Sequence, residues 1–360
     1  MVAHRDVGDC SQKMDLQFMS IGYNSLERRG GTTGENGTKY SPVIRPTSYE
    51  HHLEASGGSN DPVNAMTVDV EDYFQVSAFD PYIKRSDWDS FETRVENNVE
   101  KILQMFDAVG IRGTFFILGW IAEKHPDMVR RIADAGHEIA SHGWFHYRVS
   151  SQKPEEFLVD ILNTRKLLED ISGQAVKGYR APSYSVVEST PWAHDILSEA
   201  GYAYSSSIMP IKHDHYGIPH APRFEFIVNP SNILEIPITT VRFRDKNYPC
   251  GGGGWFRLYP YELSKLALKY VNQREKRSCV FYFHPWEVDP EQPRMNGLDA
   301  KTRFRHYVNL SRCEAKLRAL SRDFKWGRMD EIFLEPSLAL RNIGVQSETP
   351  NSFQQVVEKE

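Results

Sequence analysis

Four short strings hold most of the side chains able to do chemistry: TVDVEDYF (67–74), SHGWFH (141–146), GYRAPSYS (178–185) and FYFHPWE (281–287). In the first, Asp69, Glu71 and Asp72 crowd together. Carboxylates this close repel one another, so the spacing calls for a cation or a shared proton. In the second, His142 and His146 are four apart, which within one helical turn points both imidazoles the same way. Two such nitrogens with one carboxylate oxygen suit a first-row metal and leave positions open for water. In the third, Arg180 offers a fork of donors that can hold a carboxylate in place, and Pro182 stiffens the loop after it. In the fourth, His284 follows an almost wholly apolar run and is a candidate general acid. Trp286 beside it can stack on a sugar ring or simply pack. Singly, each has an ordinary explanation: a solvated acidic turn, two satisfied histidines, a surface arginine, a histidine at the core edge. The signal is that all four follow apolar, strand-like runs.

Those runs are MTVDV (66–70), GTFFIL (113–118), HEIAS (137–141), VKGYR (176–180), YAYSSS (202–207), ILEIP (233–237) and CVFYF (279–283). Helical stretches alternate with them. Val95, Val99, Ile102, Phe106 and Val109 share one face, closed by Gly110. A second helix uses Pro126 in its first turn and ends at Gly136; a third, marked by Phe157, Ile161 and Leu168, stops at Gly173. Pro191 opens a fourth that runs to Gly201, and a fifth lies near 261–273. Repeated strand–helix units predict a parallel sheet. About seven units, with no GxGxxG after the first strand, favour a closed or nearly closed (β/α) barrel over a dinucleotide fold. In such a barrel the loops after the strands share one mouth, which would gather the four strings.

Two other segments stand out. CGGGGWFRLYP (250–260) has four glycines, but Trp255, Phe256, Arg257 and Pro260 follow, without the lysine and helix start of a phosphate cradle. It reads as a flexible substrate loop with an aromatic floor. Residues 299–322 predict one basic amphipathic helix.

The 360 residues are 40% hydrophobic and 25% charged, a globular composition with ample core material. A net charge of −5 gives no reason to expect nucleic acid or an anionic membrane as partner of the whole chain. Cys10, Cys250, Cys279 and Cys313 form no CxxC pair, so neither a zinc knuckle nor a disulfide framework is suggested. The absence of an 18-residue apolar run or an apolar stretch in the first 30 residues predicts no membrane-spanning helix or secretory leader, and a cytoplasmic location. Residues 1–62, rich in Gly, Ser, Thr and Asn, read as a poorly ordered extension; 63–335 as the folded domain; 336–360 as a flexible tail.

Taken together, the four strings resemble the polysaccharide deacetylase family, the NodB-homology group also known as carbohydrate esterase family 4. In detail they are most similar to the branch encoded with exosortase and exopolysaccharide loci. The resemblance covers roughly residues 64–335. It implies a deformed (β/α) barrel of about seven parallel strands and a metal-dependent deacetylase. Such an enzyme removes N-acetyl groups from a polysaccharide or oligosaccharide, and exopolysaccharide assembly proteins are its expected partners. The metal implied is zinc, with cobalt, nickel or iron as alternatives. By the same resemblance Asp69 is the catalytic base, His142 and His146 are metal ligands, Arg180 orients the base, and His284 protonates the leaving amine.

The chain departs from the family pattern in two places. The family's metal-binding Asp falls on Val70; the D-x-D/E spacing of related members points to Glu71 instead, with Asp72 as its rival. In the R-x-P-Y motif Ser183 stands where Tyr is usual and Tyr184 comes one step later, so the oxyanion donor, expected as a backbone N–H near Tyr184, is left open. Tyr184, Trp255 and Trp286 are the expected substrate contacts. Two other functions fit the same residues less completely: hydrolysis of a cyclic amide or ureide, and non-catalytic sugar binding in a polysaccharide assembly system.

Overall fold

The strand ending in the acidic cluster is buried along its whole length, as a strand flanked on both sides in a parallel sheet must be. It is the second of the strands found in the computed structural model, which describes residues 40–42, 61–213 and 216–335. In chain order these are β1 (Tyr40–Pro42), β2 (Asn64–Val70), β3 (Thr114–Ile117), β4 (Glu138–Ser141), β5 (Gly178–Tyr179), β6 (Tyr204–Ser205), β7 (Phe226–Val228), β8 (Ile233–Glu235), β9 (Thr240–Phe243), β10 (Lys246–Pro249), β11 (Val280–Phe283) and β12 (Trp326–Gly327). The main sheet runs β1-β7-β8-β6-β5-β4-β3-β2-β11, with β12 pairing to the start of β2. The seven strands from β8 to β11 are all parallel to their neighbours, while β7 and β1 continue antiparallel at one edge. The result is the deformed, curled parallel barrel expected. β9 and β10 form a separate hairpin.

The helices are α1 (Val95–Asp107), α2 (Gly119–Lys124), α3 (Pro126–Asp134), α4 (Pro154–Ser172), α5 (Ala193–Glu199), α6 (Gly253–Leu258), α7 (Tyr261–Gln273), α8 (Ala300–Tyr307) and α9 (Leu310–Asp323). α1 buries Val95, Val99, Ile102 and Phe106, but Val109 lies past its end and is exposed. Gly173 ends α4 in the left-handed conformation its position predicts. The single helix expected over 299–322 is two. Asn309 at φ +53° breaks it, and the Asp299 carboxylate caps α8 by accepting from the Lys301 and Thr302 N–H groups. Of the extension expected over 1–62, Tyr40–Pro42 pairs with β7; most of its other residues, and the tail expected over 336–360, lie outside the described residues.

The glycine-rich segment is not a flexible loop. It supplies backbone to the barrel wall: Gly252 bridges to Tyr282 on the free edge of β11, and the Tyr282 N–H donates to the Gly251 carbonyl at 2.8 Å. A Cβ on Gly252 would lie 1.9 Å from the Tyr282 carbonyl oxygen, and its φ is +122°. Only a residue without a side chain fits there.

Two apolar clusters result. One lies between sheet and helices. The other fills the barrel interior with Phe116, Ala140, Leu234 and Val280, among others, and Met329, Phe333 and Leu334 join it from the segment after β12. That segment closes the end where the strands begin. The Met329 N–H donates to Thr114 Oγ1 at 2.8 Å and the Asp330 N–H to Glu138 Oε2 at 3.1 Å. Thr114 Oγ1 and the Tyr204 hydroxyl also donate to Glu138.

Gly252→Ala is expected to cost more than about 2 kcal/mol of stability in urea unfolding. Gly110→Ala is the control: it too has positive φ, but nothing lies within 4 Å, so about 1 kcal/mol is expected. A second prediction concerns pH. Burial and the charge of Asp330 push the Glu138 carboxyl up to about 7 from an ordinary 4.5. The stability this group provides is therefore full below 4.5 and lost as pH rises through about 7. Glu138→Gln should improve relative to wild type between about pH 5 and about pH 8. An unchanged stability difference at the two values would contradict this.

Candidate active site

Parallel register brings the four strings to one mouth. Asp69 pairs with Phe116, Ile117 with Ser141, Ser141 with Tyr179, and Phe283 with Val68. Asp69, His142, Arg180 and His284 therefore emerge at adjacent strand ends. In extended backbone residues two apart project to the same side, so Asp69 and Glu71 share a direction. Both are almost completely buried.

The two carboxylates are compensated differently. Asp69 Oδ1 accepts from Arg180 Nη1 at 2.6 Å, and its Oδ2 accepts from the Tyr184 hydroxyl at 3.4 Å. Arg180 is fully buried and gives every arm a partner: Thr67 Oγ1 at 2.7 Å, the Ser206 hydroxyl at 3.0 Å and the Ser206 carbonyl at 3.3 Å, with the Phe116 ring 4.0 Å from its guanidinium carbon. An arginine so held is a fixed template for the carboxylate.

Glu71 instead faces imidazoles. One ligand atom from each of Glu71, His142 and His146 lies within 4.8 Å of the others, and all three residues are buried. The His142 Nδ1–H donates to the Arg180 carbonyl at 2.8 Å, which leaves Nε2 as the ligating nitrogen. Burial lowers His142 to about 4, so the lone pair is available at neutral pH. His146 Nδ1 lies 3.3 Å from Ser77 Oγ, which also accepts from Ser183 Oγ. Arg85 pins the loop by donating to the Phe145 and His146 carbonyls. Burial alone would raise Glu71, but His146, His284 and His142 outweigh it and hold the carboxyl well below the usual range.

The arrangement fits a divalent cation. Glu71 Oε2 is 2.8 Å from His146 Nε2, yet it receives no hydrogen bond of acceptable geometry and is a buried oxygen without a donor. A cation between a carboxylate oxygen and two imidazole nitrogens would satisfy all three. Asp72 stands outside this cluster. Its Oδ2 accepts from the Arg94 and Val95 N–H groups at 2.6 and 3.0 Å, and its Oδ1 from Tyr73 N–H. It satisfies the otherwise unpaired donors at the start of α1. Burial pushes its carboxyl up to about 6.

His284 lies across the mouth, with Nε2 3.6 Å from Glu71 Oε1 and Nδ1 2.7 Å from Glu287 Oε1. Glu287 Oε2 is in turn 2.7 Å from Arg257 Nε. Burial would lower His284, but Glu71 and Glu287 outweigh it and push it up to about 9.

Two expected contacts are placed differently from the sequence reading. Trp286 is buried between the rings of His284 and His306 and donates its Nε1–H to Glu71 Oε1 at 3.1 Å, so no sugar can stack on it. The Tyr184 N–H is committed to the Ala181 carbonyl at 3.0 Å, and it is the hydroxyl, not the amide, that faces Asp69. Trp255 is half-buried, beside Tyr216 and Tyr259. The sequence reading gave no role to Thr67, Ser206, Arg257 or Glu287. Only Glu287, three residues after His284 in a turn, carried a local signal.

Comparisons with known proteins add to this geometry. Residues 84–205 match the family described as polysaccharide deacetylase, and residues 206–334 match a domain of unknown function (DUF3473). A peptidoglycan-N-acetylglucosamine deacetylase of Bacillus cereus is 35% identical over 94 residues, covering 26% of this chain and 34% of that protein. A peptidoglycan deacetylase of Helicobacter pylori is 27% identical over 114 residues, covering 32% and 38%. The chain thus spans about a third of the length of these relatives. A crystal structure from Mycobacterium smegmatis, classed with the polysaccharide deacetylases, superposes with a TM-score of 0.51 at 17% identity, covering 89% of this chain and all of that one. At that identity the likeness speaks to the fold. His142, His146, Arg180 and Tyr184 lie inside the first matched segment, Asp69 and Glu71 before it, and His284 in the second.

The geometry separates the rival carboxylates by experiment. Glu71→Gln should lose bound metal in elemental analysis. Asp72→Ala should keep it while losing about 1–2 kcal/mol of stability, the cost of stripping a helix start of its acceptor. Metal loss in the Asp72 variant alone would reverse the assignment.

Proposed function

We propose that this chain, whose residues 84–205 match the polysaccharide deacetylase family, is a metal-dependent hydrolase removing N-acetyl groups from a polysaccharide or oligosaccharide. The observation that supports it most is the pairing of a donorless buried carboxylate oxygen, on Glu71, with the inward-facing nitrogens of His142 and His146. Those three residues would hold a divalent cation, zinc by preference and cobalt, nickel or iron as alternatives. When bound, such a cation acidifies a water towards ~7 and polarises the acetamide carbonyl.

The chain's own residues do the rest. Asp69, fixed by Arg180, takes the proton of the attacking water. The Tyr184 hydroxyl, which donates to the other oxygen of the same carboxylate, is the donor we assign to the developing oxyanion, a contribution of about 3 kcal/mol where such donors have been removed. His284, its Nδ1–H held by Glu287, presents Nε2 to the mouth and gives the proton to the departing sugar amine. We take residues 63–335 as one catalytic unit, because Asp69, His142 and His284 are spread through it. The loop strings most resemble the exosortase-associated branch, and on that ground we assign the substrate to exopolysaccharide biosynthesis.

Acetate release from N-acetylglucosamine oligomers by the zinc-loaded protein is the direct test. Asp69→Asn should lower kcat by about a thousandfold with metal content nearly intact. His142→Ala should lose the metal. Zinc retained at full occupancy in the His142 variant, or turnover of a cyclic amide in place of acetate release, would overturn the reading.

A further inference from the structure

One face outside the mouth concentrates apolar exposure and positive charge. Of the thirteen large apolar side chains well exposed among the described residues, six lie between 243 and 270: Phe243, Tyr248, Leu258, Leu263, Leu266 and Tyr270. Phe243 and Leu266 are 61% and 65% exposed. Single exposed leucines are unremarkable; a cluster of this kind is not.

The clustering follows from secondary structure. Ser264, Leu268 and Val271 turn α7 towards the core. Leu263, Leu266 and Tyr270, at i, i+3 and i+7, form an apolar stripe on its outer side. β9 packs against the same helix. In the β9–β10 hairpin Val241 pairs with Tyr248 and Phe243 with Lys246, so these four side chains share one face. The hairpin tip is fixed by positive φ at Arg244 and Asp245.

The charge on this region is opposite to that of the chain. Arg244, Lys246, Lys269, Arg274 and Lys276 are exposed here against Glu262, with Arg242 paired to Asp245 at 3.5 Å, while the protein carries −5 overall. That charge selects the occupant. A second copy docked about a two-fold axis would set these cations against their own images, which repel. An anionic bilayer complements them, with aromatic and leucine side chains entering the headgroup boundary and Arg and Lys meeting phosphates. No helix among the described residues is long and apolar enough to cross a membrane.

We propose that the face built by the β9–β10 hairpin and α7 docks the protein onto an anionic phospholipid surface. The proposal does not depend on the deacetylase reading. Its test is co-flotation of the full chain with phosphatidylcholine vesicles, with and without phosphatidylglycerol. Binding should require the anionic lipid and weaken with salt. Phe243→Glu with Leu266→Glu, or Arg244→Glu with Lys246→Glu, should reduce it by about tenfold or more. Val159→Glu with Leu162→Glu, on an exposed apolar part of α4, should leave it unchanged, and thermal unfolding checks that every variant folds. The proposal is overturned by absence of vesicle binding in the wild type, by equal binding to both vesicle types, by equal loss in the α4 variant, or by a concentration-dependent dimer that the Phe243 and Leu266 changes dissociate.

Discussion

Two carboxylates with the same direction and almost no solvent cannot both be left to themselves. Asp69 and Glu71 meet that constraint at the end of β2. Burying an unpaired charge is costly, and breaking a buried pair by removing one partner typically costs about 3–5 kcal/mol. The chain therefore spends an arginine on Asp69 and a ring of imidazoles on Glu71. The consequence is functional asymmetry. One carboxylate is gripped by fixed donors in a set orientation, whereas the other keeps an oxygen that accepts no hydrogen bond. Placing like groups in unlike surroundings is a general way to give them unlike roles.

The supports come from far along the chain. Arg180 receives its second set of partners from Ser206, and the Met329 sulfur lies 3.9 Å from its Nη2. Met329 belongs to the segment that seals the barrel floor, so sealing the barrel and seating Arg180 are one packing problem. On the opposite flank, Arg257 reaches Glu287 from α6, and Lys316 of α9 donates to the Phe256, Arg257 and Tyr259 carbonyls. The region from 206 onward is thus part of the site's scaffold.

Much of the barrel was legible because its signals are local. Apolar runs mark β2, β3 and β4, the shared apolar face marks α1 and α4, and Pro126 with Gly136 bounds α3. What escaped lacked such marks. β7 and β12 are three and two residues long, β9 and β10 are an exposed hairpin with polar content, and the break between α8 and α9 rests on one left-handed Asn. The side chains at the mouth were legible as types and less so as directions. Glu71 and Asp72 are adjacent carboxylates, but an extended chain sends neighbours to opposite sides, and that sends Asp72 to α1. Trp286 was legible as an aromatic beside a histidine; only packing reveals that His306 closes its other face.

The glycine-rich segment shows how a correct feature can carry the wrong inference. Four glycines in a row suggest freedom, since glycine loses the most entropy on ordering. Here their use is the absence of a side chain. Gly251, Gly252 and Gly253 lie so close to Val280 and Tyr282 that a Cβ at any of them would meet backbone or ring atoms at under 3 Å. That close approach lets the chain lie against β11 and then turn at once into α6. Arg257 follows four residues after Gly253, buried and aimed at Glu287. The segment is rigid because it is glycine against a wall, and its rigidity fixes the partner of the histidine at the mouth.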